Sequence, residues 1–405
     1  MWWLLEYLHD PHLAWKFQRL CGVELAAGQT KLVANNHVIK ARTTTTNHHV
    51  CDSRRKKQSD YVVEPAGADN TEELKASECA TAEYEIRNRW LYFLFQLGSF
   101  LGNEEFFALF FALSTWNWDP YASRRVVLIW ALGMYVGECL KDVLQWPRPS
   151  SPPVFQLERA YLTEFGMPST HAIAGLTVPL ATALTLNQYC YMPWLPSVMA
   201  VSLWSCLVSV SRVYNGVHSF LEGICGLLLA LLLVSVTFPF SASLDAQLLS
   251  SAWSVAALCL LVLLLCLLYP SLDGEWTSAY ADTVAICTSA TGMQVGSHFA
   301  VQLGLILPGM PSAATHWRCW PSTILSGRAV LLGLIRGLLG FGLMLLVRWS
   351  VKSCCIRLRI GAGDERKKWT SFCSKFATYF CLGLTIALVA PLTFHLLNIS
   401  AKFAN

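Results

Sequence analysis

From residue 90 to residue 397 the chain returns repeatedly to long apolar runs, at 90–114, 125–140, 172–188, 195–210, 220–238, 251–269, 279–307, 328–349 and 374–397. Wound as helices, runs of about twenty residues match the hydrocarbon thickness of a bilayer. Inside lipid a backbone must satisfy its own hydrogen bonds, so repeated spans imply helices packed on helices. With 54% hydrophobic and only 14% charged residues, the chain lacks the polar faces a soluble protein of this size requires. The expectation is an all-α, polytopic membrane protein with about nine transmembrane helices. The first run contains Gly102-Asn103-Glu104-Glu105, where a break into two short pieces is expected. The seventh is diluted by Thr, Ser, Gly, Gln and His298 and is a candidate re-entrant segment; a helix–helix hydrogen bond accounts for its histidine.

Residues 1–88 are a different material. They hold a threonine run (Thr43–Thr46), a basic cluster (Arg54-Arg55-Lys56-Lys57) and scattered acids (Glu72, Glu73, Glu78, Glu83, Glu85). Little periodic hydrophobicity runs through 28–85, which reads as disorder. Trp2, Trp3, Leu4, Leu5, Leu8, Leu13, Trp15, Phe17 and Leu20 suit an interfacial helix over 1–20. The chain thus divides into a tail (1–88), a core (89–240) and further transmembrane helices (241–405). No basic stretch precedes a long apolar one at the N-terminus, so no cleavable signal is read there. The formal net charge of +4 comes without a basic aromatic module, which argues against nucleic acid as a partner. Several of the fifteen cysteines (Cys206, Cys225, Cys259, Cys266) lie inside apolar runs and act as small hydrophobes. Neither a disulfide framework nor a paired metal-binding spacing is evident. Cys354-Cys355, beside a span, reads as an unmodified pair.

Against this background the polar residues at the ends of the runs need a reason. Lys141 and Arg148-Pro149 follow the second run, Pro168-Ser169-Thr170-His171 precedes the third, and Arg212, His218 and Glu222 bracket the junction of the fourth and fifth. Pro147, Pro149, Pro152 and Pro153 stop the helix carrying Lys141 near Trp146 and leave Arg148 on a stiff, non-helical stretch. Ser169 suits the N-cap of the next helix, whose free N–H groups form an anion site. His171 falls in its first turn. Glu222 follows His218 by four residues, so on a helix both share a face and the carboxylate can take one ring proton. Three fixed cations, two imidazoles and a carboxylate are what phosphoryl transfer requires: positioning, charge neutralisation and a nucleophile, without a metal. Asp142 reads as a charge partner for Lys141 at the helix end; Tyr214 and Trp146 read as pocket walls.

In their order and spacing, Lys141-(six residues)-Arg148-Pro149, Pro168-Ser169-Thr170-His171 and Ser211-Arg212-(five residues)-His218-(three residues)-Glu222 resemble the three signatures of the type 2 phosphatidic acid phosphatase (PAP2) superfamily. That superfamily includes lipid phosphate phosphatases, glucose-6-phosphatase and vanadium haloperoxidases. Within it, Lys141 to Val154, Gly166 to His171, Trp116-Asn117-Trp118-Asp119-Pro120 and Arg124-Arg125 look most like sphingosine-1-phosphate phosphatases. The likeness covers roughly 90–400, and its core at 141–222 is specific.

The resemblance implies a PAP2-type helical core and hydrolysis of sphingoid base 1-phosphates without a cofactor. It implies that His218 forms a phosphohistidine and Glu222 orients it. His171 would protonate the leaving alkoxide and then activate water. Lys141, Arg148, Ser169, Thr170 and Arg212 would bind phosphate. One departure stands out: the family normally has aspartate where this chain has Glu222, and the extra methylene is expected to displace His218 by about an angstrom. A broader lipid phosphate phosphatase, a lipid phosphotransferase, and an impaired transporter or scaffold remain open. The resemblance also implies the endoplasmic reticulum membrane with a lumenal site. Nine crossings instead place the tail, the 141–170 loop, His218 and the basic 352–368 loop on one face, which the distribution of Lys and Arg makes cytosolic. A break in the first or seventh run relieves that conflict.

Overall fold

The computed structural model describes residues 2–25, 84–158, 164–189, 192–271, 276–307, 327–359 and 364–400. Two short helices, α1 (Trp2–His9) and α2 (Pro11–Leu20), precede β1 (Val23–Leu25), which pairs antiparallel with β2 (Tyr84–Ile86). Then come α3 (Arg89–Phe100), α4 (Glu104–Asn117), α5 (Pro120–Leu144), α6 (Thr170–Leu186), α7 (Trp194–Tyr214), α8 (Phe220–Ser250), α9 (Ala252–Leu267), α10 (Ser278–Gln302) and α11 (Gly327–Arg359). The last element starts as α12 (Asp364–Leu384), passes through a π-helical turn (Thr385–Val389) and ends as α13 (Ala390–Leu396).

Among the described residues, four helices are long and apolar enough to cross a membrane: Trp194–Tyr214, Phe220–Ser250, Gly327–Arg357 and Trp369–Leu396. Thr170–Leu186 and Ala252–Leu267 are shorter apolar helices. The protein is multi-pass and dominated by helices, but the expected nine is more than length and composition alone provide. The difference lies in those two shorter helices, in α4 with its 14 residues, and in α5 and α10, which bury many polar side chains against neighbouring helices. The large core joins Phe107 and Phe111 of α4, Trp130 and Met134 of α5, Val178 of α6, Val234 of α8, Met293 of α10 and Phe394 of α13. Between helices in lipid, such contacts stabilise by close packing and hydrogen bonds rather than by water exclusion.

The first apolar run does break, at Leu101–Asn103. α4 continues into the core, while α3 keeps Trp90, Phe93, Leu97 and Phe100 exposed. The seventh run does not break: α10 is continuous over 25 residues. Its His298 Nδ1 donates to the carbonyl oxygen of Leu248 at 2.9 Å, since a carbonyl only accepts. This is the helix–helix bond expected of that residue.

At one end of the bundle a buried polar network closes the helices. Arg124 Nε donates to Asp245 Oδ1 at 2.6 Å, Gln294 Nε2 to the carbonyl of Arg124 at 2.7 Å, and Arg336 Nε to Asn117 Oδ1 at 2.9 Å. The opposite end carries Lys141, Arg148, His171 and His218. There Tyr269 and Thr277, flanking the α9–α10 connection, donate to Asp142 at 3.0 and 3.2 Å. Lys375 of α12 meets Asp282 of α10 at 3.0 Å.

The N-terminal helices also belong to this second end. The sequence suggested one interfacial helix over 1–20, but Asp10-Pro11 divides it. Pro11 begins α2, and Asp10 Oδ1 accepts from the His12 N–H at 2.8 Å. Nor does α2 merely lie on a surface, since Ala14 and Gln18 are fully buried. Gln18 Nε2 donates to the carbonyls of Phe155 (2.7 Å) and Tyr214 (2.8 Å), and its Oε1 accepts from the Phe155 N–H at 2.9 Å. One side chain therefore ties the N-terminus to two of the segments that build the site. The disorder expected of 28–85 falls almost wholly on 26–83, outside the described residues. Replacing Gln18 with Leu leaves three buried backbone groups without partners. This is expected to cost about 2–4 kcal/mol, read as a lower thermal unfolding midpoint in detergent.

Candidate active site

Three chain reversals bring the polar residues together. α5 ends at Leu144 with Gln145 in the left-handed region (φ 51), after which the proline-rich stretch carries Arg148 in non-helical geometry, as its sequence suggested. α6 begins after Ser169, whose N–H donates to the carbonyl of Glu222 at 3.1 Å and so pins the start of α6 to the first turn of α8. α7 ends at Tyr214, and the chain turns through Gly216 at φ +73. A Cβ there would lie 2.1 Å from the Phe155 carbonyl oxygen, so only glycine fits. Ser219 then caps α8: its Oγ accepts from the Glu222 N–H at 3.4 Å and donates to Glu222 Oε1 at 2.9 Å.

The same turn fixes the imidazole of His218. Its Nδ1 lies 2.7 Å from Glu222 Oε2, and its Nε2 lies 3.2 Å from Arg148 Nη1. A guanidinium only donates and an ionised carboxylate only accepts. Nδ1 therefore carries the proton toward Glu222, and Nε2 presents its lone pair. That is the tautomer a nucleophilic histidine needs. The ring is buried, and that burial, followed by Arg148, Arg212, Lys141 and His171, holds its pKa well below the ordinary histidine value. The neutral, attacking form is thereby favoured. Across the site, His171 Nε2 meets Asn103 Oδ1 at 2.8 Å.

With its extra methylene, Glu222 places Oε2 2.7 Å from His218 Nδ1. The longer side chain reaches Nδ1 because Gly166 leaves it room: a Cβ at 166 would come within 2.8 Å of Glu222 Oε2. Glycine at 166 and glutamate at 222 are a matched pair.

Each cation is buried and engaged by a carboxylate. Lys141 Nζ is 3.1 Å from Glu138 Oε2 and 3.1 Å from Glu164 Oε2. Arg148 donates from Nε to the Glu164 carbonyl at 2.8 Å and from Nη1 to the Val217 carbonyl at 2.7 Å, with Nη2 3.7 Å from Glu164 Oε2. Arg212 Nη1 donates to Glu158 Oε2 at 2.6 Å and to Ser99 Oγ at 2.5 Å. Burial acts to raise the Glu164 carboxyl, but Lys141 and Arg148 outweigh it and hold it below its usual range. Ser169 takes the N-cap position expected of it, yet its side chain makes no cap bond; Oγ is fully buried without a hydrogen-bond partner. It sits at the N-terminus of α6, the end of a helix at which backbone N–H groups point outward and favour an anion.

Every residue singled out for the phosphate site lies at this end of the bundle. Asp142 is the exception in role: it accepts from Tyr269 and Thr277, while Lys141 pairs with Glu138 and Glu164. Tyr214 is buried beneath the site, stacked on Phe95 at 4.6 Å, and Trp146 stands at the rim, donating from Nε1 to His9 Nδ1 at 3.2 Å. His9 Nδ1 is 3.8 Å from Glu222 Oε1. Burial lowers the His9 pKa, so this is a contact with a neutral ring rather than an ion pair. Sequence reasoning missed Ser99, Asn103, Glu138, Glu158, Glu164, Gly166 and His9. Of these, Asn103 had attracted notice only as a helix break and Gly166 only as the first residue of the Gly166 to His171 motif.

Residues 122–244 match the PAP2 superfamily. Over nearly the full length, the chain is 33% identical to sphingosine-1-phosphate phosphatase 1 of Rattus norvegicus, covering 97% of this chain and 97% of that protein. The chain belongs to the sphingosine-1-phosphate phosphatase family of the PAP2 superfamily. It is 32% identical to sphingosine-1-phosphate phosphatase 2 of Homo sapiens over 98% of this chain and 99% of that one. A dihydrosphingosine 1-phosphate phosphatase of Schizosaccharomyces pombe is 27% identical over 53% of this chain and 54% of its own length. No solved structure matches. Family membership makes the protein a metal-independent lipid phosphate hydrolase, and the site just described is where family signatures and geometry coincide.

The pairing of Gly166 with Glu222 has a direct test. Gly166→Ala is expected to push the carboxylate off His218 and lower kcat about 10- to 100-fold. Adding Glu222→Asp, one methylene shorter, should recover most of that loss in a phosphate-release assay. A double variant no better than the single one would show that the two positions are independent.

Proposed function

We propose that this protein hydrolyses sphingoid base 1-phosphates, sphingosine 1-phosphate and dihydrosphingosine 1-phosphate, to the free base and inorganic phosphate. The observation that carries the mechanism is the assignment of both ring nitrogens of His218, one held by Glu222 and the other unprotonated, its lone pair turned to the Arg148 guanidinium where the phosphate binds. The substrate phosphate lies among Lys141, Arg148, Arg212, the Ser169 hydroxyl and the Thr170 backbone N–H, where fixed donors neutralise charge that spreads in the transition state. His218 Nε2 attacks phosphorus, and the phosphorus–oxygen ester bond breaks. The departing alkoxide takes the proton that His171 carries, giving the free base and a phosphohistidine. A water then attacks phosphorus, His171 takes its proton, and the phosphorus–nitrogen bond breaks to release phosphate and restore His218. Proton transfer of this kind contributes about 10²- to 10⁴-fold. The buried, partnerless Ser169 Oγ supports the binding half of this scheme.

Support for the substrate comes from the relatives, whose names describe phosphatases of sphingosine 1-phosphate and dihydrosphingosine 1-phosphate. A lipid substrate also suits a site at the ends of apolar helices. His218→Ala is expected to abolish phosphate release from the detergent-solubilised protein, along with acid-labile labelling by a substrate carrying radioactive phosphate. Retained turnover would refute the assignment.

For topology we propose nine crossings, made by α4 through α12 with its continuation, in the membrane of the endoplasmic reticulum. α3 lies along the site's face. Neither route out of the sidedness conflict is then available. The break at 101–103 leaves α2 beside the site, and α10 is unbroken, so the described ends of the tail, the end of α11 at Arg359 and the start of α12 at Asp364 share the site's face. Basic residues argue for a cytosolic site, family likeness for a lumenal one; we propose the lumenal placement. A glycosylation acceptor engineered between residues 40 and 60 should then carry a glycan removable by endoglycosidase. An unmodified product in membranes that glycosylate a control acceptor would overturn it.

A further inference from the structure

The cations that hold phosphate are already occupied by carboxylates. Glu164 lies in the non-helical stretch before Ser169, with its side chain 7% exposed, between Lys141 Nζ at 3.1 Å and Arg148 Nη2 at 3.7 Å. Arg148 is also the residue whose other terminal nitrogen meets His218 Nε2. The Glu164 carboxylate therefore stands beside the position the reacting phosphorus must take. Glu158 occupies Arg212 in the same way, but at 21% exposure and on the side of Ser99 and Asn215.

Charge decides what this means. Lys141, Arg148 and Arg212 carry three positive charges, Glu138, Glu164 and Glu158 match them with three negative ones, and Glu222 beside His218 adds a fourth negative charge. A phosphate monoester brings close to two further negative charges into this buried site. In low dielectric an uncompensated carboxylate is strongly disfavoured. A glutamate held ionised beside a phosphate pocket is therefore an obstacle to an ordinary alkyl phosphate. It ceases to be one when the substrate supplies its own cation near the phosphate. A sphingoid base 1-phosphate does so: its ammonium is on the carbon next to the one bearing the ester oxygen, only a few bonds from phosphorus.

We propose that Glu164 is the specificity-determining residue for the substrate ammonium. In the empty enzyme it bridges Lys141 and Arg148. When substrate arrives, the phosphate oxygens take over those cations, and the released carboxylate accepts from the ammonium. The exchange conserves the number of charge-assisted contacts for a sphingoid ester and leaves one carboxylate stranded for an amine-free ester. Glu164, rather than Glu158, fills this role because it is more enclosed and touches the two cations nearest His218 Nε2.

The inference rests on the substrate class proposed above, and the test separates the two. Phosphate release is measured in mixed micelles with dihydrosphingosine 1-phosphate and with octadecyl phosphate, which has no amine. Wild-type enzyme should favour the amine substrate in kcat/KM by about tenfold or more, the discrimination a site gains by pairing a buried polar group. Glu164→Gln should lower that preference about 10- to 100-fold, with turnover of octadecyl phosphate rising as the competing carboxylate is removed. Glu164→Asp, which keeps the charge on a shorter stem, should give an intermediate preference and decides the matter if the glutamine variant fails to fold. A preference unchanged within about threefold in either variant overturns the proposal, as does a wild-type enzyme that ignores the amine. Wild-type turnover of octadecyl phosphate without any of the sphingoid ester would instead refute the substrate class.

Discussion

Three cations buried at the end of a helix bundle are the constraint on which the rest of this structure turns. Lys141 and Arg212 are 2% and 1% exposed, and neither can be left there without a partner of opposite charge. The chain answers with carboxylates from two sources. Glu138 lies one helical turn from Lys141 on α5, while Glu158 and Glu164 come from the described segments between α5 and α6. Because those segments supply the counter-charges, their course is dictated by the cations, and Gly166 and Ser169 follow in register beneath Glu222. Catalytic geometry and local stability are therefore the same set of contacts.

The second organising feature is the way backbone segments are pinned around His218. Ser169 bonds the carbonyl of Glu222, Arg148 bonds that of Val217, and Gln18 bonds those of Phe155 and Tyr214. None of these bonds belongs to a helix's own ladder; each ties a helix end or an irregular segment to a different part of the chain. Irregular backbone near a bilayer must find such partners, because water is scarce. The N-terminal helices are part of this enclosure, with His9 and Trp146 meeting at the rim. The far end of the bundle, closed by Arg124, Asp245 and Gln294, holds the helices in register so that the site end can be built from turns.

Much of this could be read from the residues. The i, i+4 spacing of His218 and Glu222 predicted a shared face, and the ring and carboxylate do meet. Proline spacing predicted Arg148 outside a helix. The Asn103-Glu104-Glu105 break and the bond made by His298 were also legible, because each depends on local chemistry: helix breakers, caps and unpartnered polar groups within apolar runs. Other readings failed where the answer lay in a distant segment. Asp142 was expected to pair with its neighbour Lys141, but Tyr269 and Thr277 outbid Lys141 from across the bundle. The seventh run looked too polar for an unbroken helix. It is continuous because its Thr, Gln and His side chains face neighbouring helices rather than lipid. Glu222 looked a poor substitute for aspartate until Gly166, 56 positions away in sequence, was found to leave the space.

By itself, then, the sequence determined the membrane-embedded helical class and the kit of cations, imidazoles and carboxylate, since hydropathy and short-range helix spacing are properties of contiguous residues. Only the tertiary structure decided which acids neutralise which cations, which side of the bundle the N-terminus joins, and how an over-long glutamate reaches its histidine. Those outcomes depend on distances between segments far apart in the chain, and no local pattern encodes them.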